Sequence, residues 1–251
     1  MVDHHATWCH LPNITAPRHE TRESQLLEVL QRVESELALA GLAFEDVVRT
    51  WFAVDGILEW YDSFNRVRNG FFRARSLLDG AVPASTAVGG RNATGSAVTA
   101  SVLAVRPHDT TCTRRPLRSP RQCEATAYAS AFSRAFAVEW PGSLRVYVSG
   151  TAAIDVNGNS MHRGDARAQV QTTLDVVEDL LRGQDLAFAH TLEAKAYFRR
   201  REDARWITIL RSRGLVGDVQ CAQAEVCRDE LLFELELTAG WGPGPPLPGL
   251  L

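Results

Sequence analysis

Leu42-Ala43-Phe44 recurs as Leu186-Ala187-Phe188, an offset of 144 residues (44 to 188), and the stretches around the two copies decide the fold. An amphipathic helix precedes each copy: Gln25-Leu-Leu-Glu-Val-Leu through Leu39 in the first, Ala168-Gln-Val-Gln-Thr-Thr-Leu through Leu181 in the second. A β-like run follows, Asp46-Val-Val-Arg-Thr-Trp-Phe-Ala-Val54 and Thr191-Leu-Glu-Ala-Lys-Ala-Tyr-Phe198. A second helix is then expected over 58–72 and over 203–211. A spacing this long marks a duplicated domain, because solenoid repeats run at about 20–50 residues. The chain therefore reads as two copies of one module, with its function expected between them.

Outward from this pair, Pro83-Ala-Ser-Thr-Ala-Val88 and Ala97–Val105 read as strands joined through a Gly-rich turn at 89–95. In the second copy, Cys123–Tyr128 and Ser143–Ile154 read as strands, with Asn157-Gly158 as a hairpin-type turn. Gly217–Val226 and Leu231–Thr238 are expected to pair across a turn at Arg228-Asp229. The expected organisation is a polar N-terminal segment 1–20, a first module 21–107, a linker 108–121, a second module 122–240 and a Pro/Gly tail 241–251. Two helices on one face of a mixed sheet make each module an α+β sandwich, whose other face needs covering wherever it is apolar.

Composition narrows the function class. At 45% hydrophobic and 23% charged, the 251 residues suit two small globular domains. A net charge of −3 gives no field that attracts nucleic acid or an anionic membrane. The five cysteines are odd in number and form no CxxC pair, so neither a zinc site nor a complete disulfide framework is indicated. No run approaches the roughly 20 apolar residues of a membrane span, and the start lacks a signal-peptide pattern. A cytoplasmic location is expected. His4, His5 and His10 are read as part of a polar terminus, and Lys195, the single lysine, leaves guanidiniums as nearly all the cationic groups.

The order Val148-Ser-Gly-Thr-Ala-Ala-Ile154, turn, Gly164-Asp165, Gln169, long helix, strand, helix and Glu234-Leu-Glu236 resembles the RidA/YjgF family over the second module. The first module resembles its latter half, which implies tandem YjgF-like (chorismate-mutase-like) modules, the first truncated. The resemblance places the carboxylate-binding arginine of RidA-type imine deaminases fifteen residues before Glu234, where this chain has Val219. The same strand of the first module offers Ser85 there, and Thr99 stands near the glutamate position, so imine deamination is disfavoured.

Six ordered segments are similar to the chorismatases, which resemble two fused YjgF-type modules and remove pyruvate from chorismate. They are Phe64-Asn65-Arg66-Val67-Arg68, Pro120–Tyr128, Phe132–Ala135, Ser149–Ile154, Ser160–Asp165 and Val226–Glu234. Val67 replaces a glycine of that family's pattern, and the family's chains are longer, with a fuller first module. The resemblance implies carboxylate binding by Arg68 and Arg134, each of which can otherwise cap a helix or pair on the surface. It makes Glu234 the catalytic acid, an acid that sequence alone allows equally to face solvent. Tyr128 is a donor to substrate or a packing residue, and His162 touches substrate or bonds its own loop.

Gly150, and Cys227 seven residues before Glu234, are similar to the subtype that forms 3-hydroxybenzoate. Cys227 is then a wall of the pocket rather than a nucleophile, or simply a buried structural thiol. The expected activity is a lyase that gives pyruvate and 3-hydroxybenzoate from chorismate. Hydrolysis to a dihydroxycyclohexadienoate, or non-catalytic binding of a small carboxylate, are the alternatives. No cofactor or metal is implied. The family analogy suggests a homotrimer and a place in secondary metabolism, where such benzoates serve as starter units.

Overall fold

Thr21 starts the first helix by accepting the Ser24 amide at 3.1 Å, and Asp165 starts its counterpart by accepting the Ala168 amide at 3.0 Å. Leu26, Val29, Leu30, Val33 and Leu37 then make one buried stripe, and Val170, Leu174, Val177 and Leu181 make the other. The computed structural model describes residues 4–17 and 21–244. In chain order the elements are β1 (Ala6–Thr15), α1 (Arg22–Leu39), β2 (Val47–Val54), α2 (Ile57–Arg73), β3 (Ala84–Gly89), β4 (Val98–Pro107) and β5 (Thr113–Leu117). There follow β6 (Ala135–Trp140), β7 (Ser143–Thr151), α3 (Ala166–Arg182), β8 (Thr191–Phe198), α4 (Ile207–Ser212), β9 (Asp218–Gln223) and β10 (Phe233–Trp241).

The sheets run β1-β4-β2-β3 and β5-β6-β7-β10-β8-β9. Within each, one pair is parallel, β2 with β3 and β8 with β9, and its partner strand β4 or β10 is antiparallel. The 144-residue spacing persists in space: α1 and α3 begin at 22 and 166, β2 and β8 at 47 and 191. The fold is therefore α+β with tandem modules. Among the described residues the first module has no counterpart to β5 and β6. It has more than the latter half of a module, however, because β1 takes the place that β7 holds in the second.

Helices cover the outer face of each sheet, and the inner faces pack on each other. Trp8, Trp51, Leu103 and Val105 of the first sheet meet Phe136, Val138, Trp140 and Tyr147 of the second. The Trp8 and Trp140 rings meet edge-on at 5.2 Å. The apolar second face anticipated from sequence is thus covered by the other module, giving four layers: helix, sheet, sheet, helix. No helix among the described residues is long and apolar enough to cross a membrane.

Four expectations are corrected. The polar segment 1–20 contains a ten-residue strand, β1, with Ala6 and Trp8 buried; its alternation is masked in sequence by Pro12 and by Asn13, which lie at a bulge with Asn13 at φ 54°. The linker 108–121 contains β5, an edge strand antiparallel to β6, where Pro116 is tolerated and Arg114 donates to the Glu45 carbonyl at 2.8 Å. Cys123–Tyr128 is not a strand: Ala125–Tyr128 is a 3-10 turn. Gly217–Val226 and Leu231–Thr238 do not pair with each other, because β10 inserts between β7 and β8 and leaves β9 at the edge, parallel to β8. In the expected tail 241–251, Arg145 donates to the carbonyls of Trp241 at 2.8 Å and Gly242 at 2.9 Å, while 245–251 lie outside the described residues.

Candidate active site

Helix α2 turns the first module toward the second. Tyr61, Phe64, Asn65 and Arg68 recur at the three- and four-residue spacing of one helix face. Tyr61, Asn65 and Arg68 meet the segment 128–134, the end of β7, the loop at 227–230 and β10 of the second module around a cavity of about 420 Å³. That volume falls in the range of small-molecule sites, about 300–1,000 Å³.

Glu59, Asp62, Asp229 and Glu230 also line the cavity, but among the described residues neither of its buried guanidiniums, Arg68 and Arg134, is ion-paired with a carboxylate. Arg68 is 1% exposed; its Nη2 donates to Asn65 Oδ1 at 2.7 Å and its Nη1 to Ser85 Oγ at 3.4 Å, while its Nε is buried without a partner. Phe64 and Phe132 lie against it, with ring centroids at 5.2 and 5.9 Å. Burial lowers its pKa, and the neighbours that offset this are Tyr61, Tyr128 and Cys227 rather than a carboxylate. Arg134, 2% exposed, gives both Nε and Nη2 to the Cys123 carbonyl, at 2.9 and 2.5 Å. Arg228 donates to the Gly158 carbonyl at 2.7 Å. Tyr128 stands between these two, its ring centroid 5.5 Å from the Arg134 guanidinium and 5.3 Å from that of Arg228. A buried cation partnered by neutral oxygens and aromatic faces is costly unless an anion joins it.

The buried acid on this cavity, beside the more exposed Glu59, Asp62, Asp229 and Glu230, is Glu234. It is 4% exposed on β10, flanked by Phe233 and Leu235, which point into the helix-side core. Among the described residues no side chain or amide hydrogen-bonds its carboxyl. Desolvation, and then the charge of Glu236, push its pKa up to about 8 against an opposing pull from Arg49, so it holds a proton at neutral pH. Gly150 sits directly beside it: a Cβ there would lie 2.9 Å from Glu234 Cδ and 3.2 Å from Thr86 Cγ2. The glycine is needed for space. Burial pushes the Cys227 thiol up to about 12, so it stands as a neutral wall group and lacks the thiolate a nucleophile requires.

Six of the seven residues singled out in sequence thus share one cavity: Arg68, Tyr128, Arg134, Gly150, Cys227 and Glu234. His162 does not join them. It occupies the turn before α3 at φ 52°, and its Nε2 pairs with Thr172 Oγ1 of α3 at 2.9 Å, so the helix that follows takes up the ring. Tyr61 and Arg228 were missed. The Tyr61 hydroxyl lies among Arg68, Ser130 and Cys227, and burial raises its pKa, making it a neutral donor. Its signal was its place two turns before Arg68 on the same helix face, and that of Arg228 its adjacency to Cys227. Ser85, where a deaminase arginine was absent, lines the cavity and accepts from Arg68, so this site draws its cation from α2 instead of β3.

No protein-family model matches the chain. The structure resembles a crystal structure of a chorismatase with a TM-score of 0.78, covering 94% of this chain and 75% of that one at 22% identity, and so has that fold. Half-chain likenesses include YyfA of the Rid protein family from Yersinia pestis, with a TM-score of 0.43 at 16% identity over 51% of this chain and 100% of that one. Another is Rv2704 of the YjgF/YER057c/UK114 family from Mycobacterium tuberculosis, with a TM-score of 0.40 at 20% identity over 51% of this chain and 98% of that one.

Proposed function

We propose that this chain converts chorismate, releasing pyruvate and forming 3-hydroxybenzoate. The observation that carries the reading is one cavity in which a protonated carboxylic acid meets buried guanidiniums without acidic partners. Chorismate carries two carboxylates and an enol ether, and so asks for cations and an acid together. The likeness to a chorismatase at the level of fold supports the same reading.

In this account Arg68, Arg134 and Tyr128 receive the carboxylates, with Tyr61 and Arg228 completing the wall. Glu234 gives its proton to the methylene carbon of the enolpyruvyl group. The enol ether becomes an oxocarbenium, the C4 hydroxyl oxygen attacks ring carbon C3 as the bond from C3 to the ether oxygen breaks, pyruvate leaves, and the hydroxyl proton returns to Glu234 as a 3,4-epoxide forms. The epoxide opens at C4, leaving its oxygen on C3, and the ring aromatises by losing the C3 hydrogen as that oxygen takes up a proton. The products together hold the atoms of the substrate, so no water is consumed. Hydrolysis to the dihydroxycyclohexadienoate takes up one water instead, and the neutral Cys227 thiol beside Glu234 favours the drier course. The test is the Glu234→Gln variant with chorismate: pyruvate release should fall by at least about 100-fold while chorismate still raises the melting temperature. Unchanged turnover would remove Glu234 from the mechanism.

A further inference from the structure

Glu236, two residues beyond Glu234 on β10, is 0% exposed and gathers donors from both modules. Its Oε2 accepts from Arg49 Nη2 on β2 and from Thr86 Oγ1 on β3 at 2.5 Å, and its Oε1 accepts from the Tyr197 hydroxyl on β8 at 2.6 Å. We propose that Glu236 is a positioning residue for Glu234: a carboxylate clasped across the module boundary by Arg49 and Thr86, whose fixed negative charge governs the proton on the acid beside it. The proposal rests on the reading of Glu234 as the site's acid.

The clasp also reaches the acid by geometry. Thr86 Oγ1 accepts the Gly150 amide at 2.9 Å, and Gly150 is the residue whose missing Cβ leaves room for the Glu234 carboxyl. One hydroxyl from the first module therefore ties Glu236 to the backbone that frames Glu234. The charged and titratable groups facing this pair are Arg49 from β2, Glu193, Lys195 and Tyr197 from β8, and Cys227 from the loop before β10. Glu193 is taken up by Thr238 Oγ1 at 3.0 Å. Arg49 is the cation that contacts the Glu236 carboxylate, and it keeps a buried Nη1 without a partner. A clasp of structural purpose alone would be replaceable by apolar side chains without changing how Glu234 titrates.

The test is a carbon-13 titration of the full chain labelled at the glutamate carboxyls, in which the resonance lost in Glu234→Gln identifies Glu234. In Glu236→Gln its midpoint should fall by about one pH unit or more. In the double variant Arg49→Gln/Glu236→Gln, which leaves no unpaired buried charge, it should lie between the single variant and the unaltered chain. The alkaline limb of chorismate turnover should follow the same order. A midpoint unmoved in Glu236→Gln, or in the double variant if the single one does not fold, overturns the proposal. Shifted midpoints without any chorismate turnover would uphold the clasp and reject the substrate, whereas turnover with unmoved midpoints would do the reverse.

Discussion

A carboxyl buried among apolar neighbours and another carboxylate binds its proton more tightly folded than unfolded, and Glu234 is in that position. The sign of the consequence follows. Its pKa rises from an ordinary 4.5 to about 8, so its contribution to stability is full below about pH 4.5 and is lost as the pH climbs toward 8. The melting temperature should fall across that window, and Glu234→Gln should flatten this part of the profile and stabilise the protein at pH 9; a profile identical in the two proteins would show that Glu234 titrates normally. The neighbouring glycine makes a second test at this scale. Gly150→Ala places a methyl against the Glu234 carboxyl, and a displacement near 1 Å costs a reacting group about 100-fold in rate. That variant should lose kcat by at least about tenfold with little change in melting temperature, and full activity would mean that the carboxyl position is not critical.

At the scale of elements, α2 gives up stability for a binding face. Arg68 sits inside it among Phe64, Phe132 and Asn65 with an unpaired Nε. Arg68→Met should therefore raise the melting temperature while raising KM for chorismate by about 10- to 100-fold, since a buried charge is exchanged for an apolar side chain of similar reach. A drop in both stability and affinity would show that the guanidinium is a structural pin. This helix, like α1 and α3, was legible in sequence because apolar spacing is a local signal. Glu234 was legible as an acid on an apolar strand, but its face was not, because alternation says which residues share a side and not what covers it. β1 and β5 were illegible for a related reason: proline, histidine and arginine look solvated until a neighbouring strand pairs their backbone. The pairing of β10 between β7 and β8 needed the whole sheet, since nearness in sequence favours a hairpin with β9.

At the scale of the molecule, the two sheets make the site by packing on each other, so the inter-sheet cluster governs activity from a distance. Trp8 anchors that cluster against Trp140. Trp8→Ala should cost about 3–5 kcal/mol in denaturant unfolding. A loss under about 1 kcal/mol would show that β1 is dispensable to the interface. The cavity then inherits one wall from each module, α2 and β3 from the first and β7 and β10 from the second, which is why neither copy alone holds both the guanidinium of Arg68 and the acid of Glu234. The most direct measurement is incubation of the purified chain with chorismate, following pyruvate through lactate dehydrogenase and the ring product by chromatography, with Glu234→Gln alongside. The account predicts pyruvate and 3-hydroxybenzoate in equal amounts from the unaltered chain and neither from the variant; no pyruvate above the uncatalysed background would contradict it.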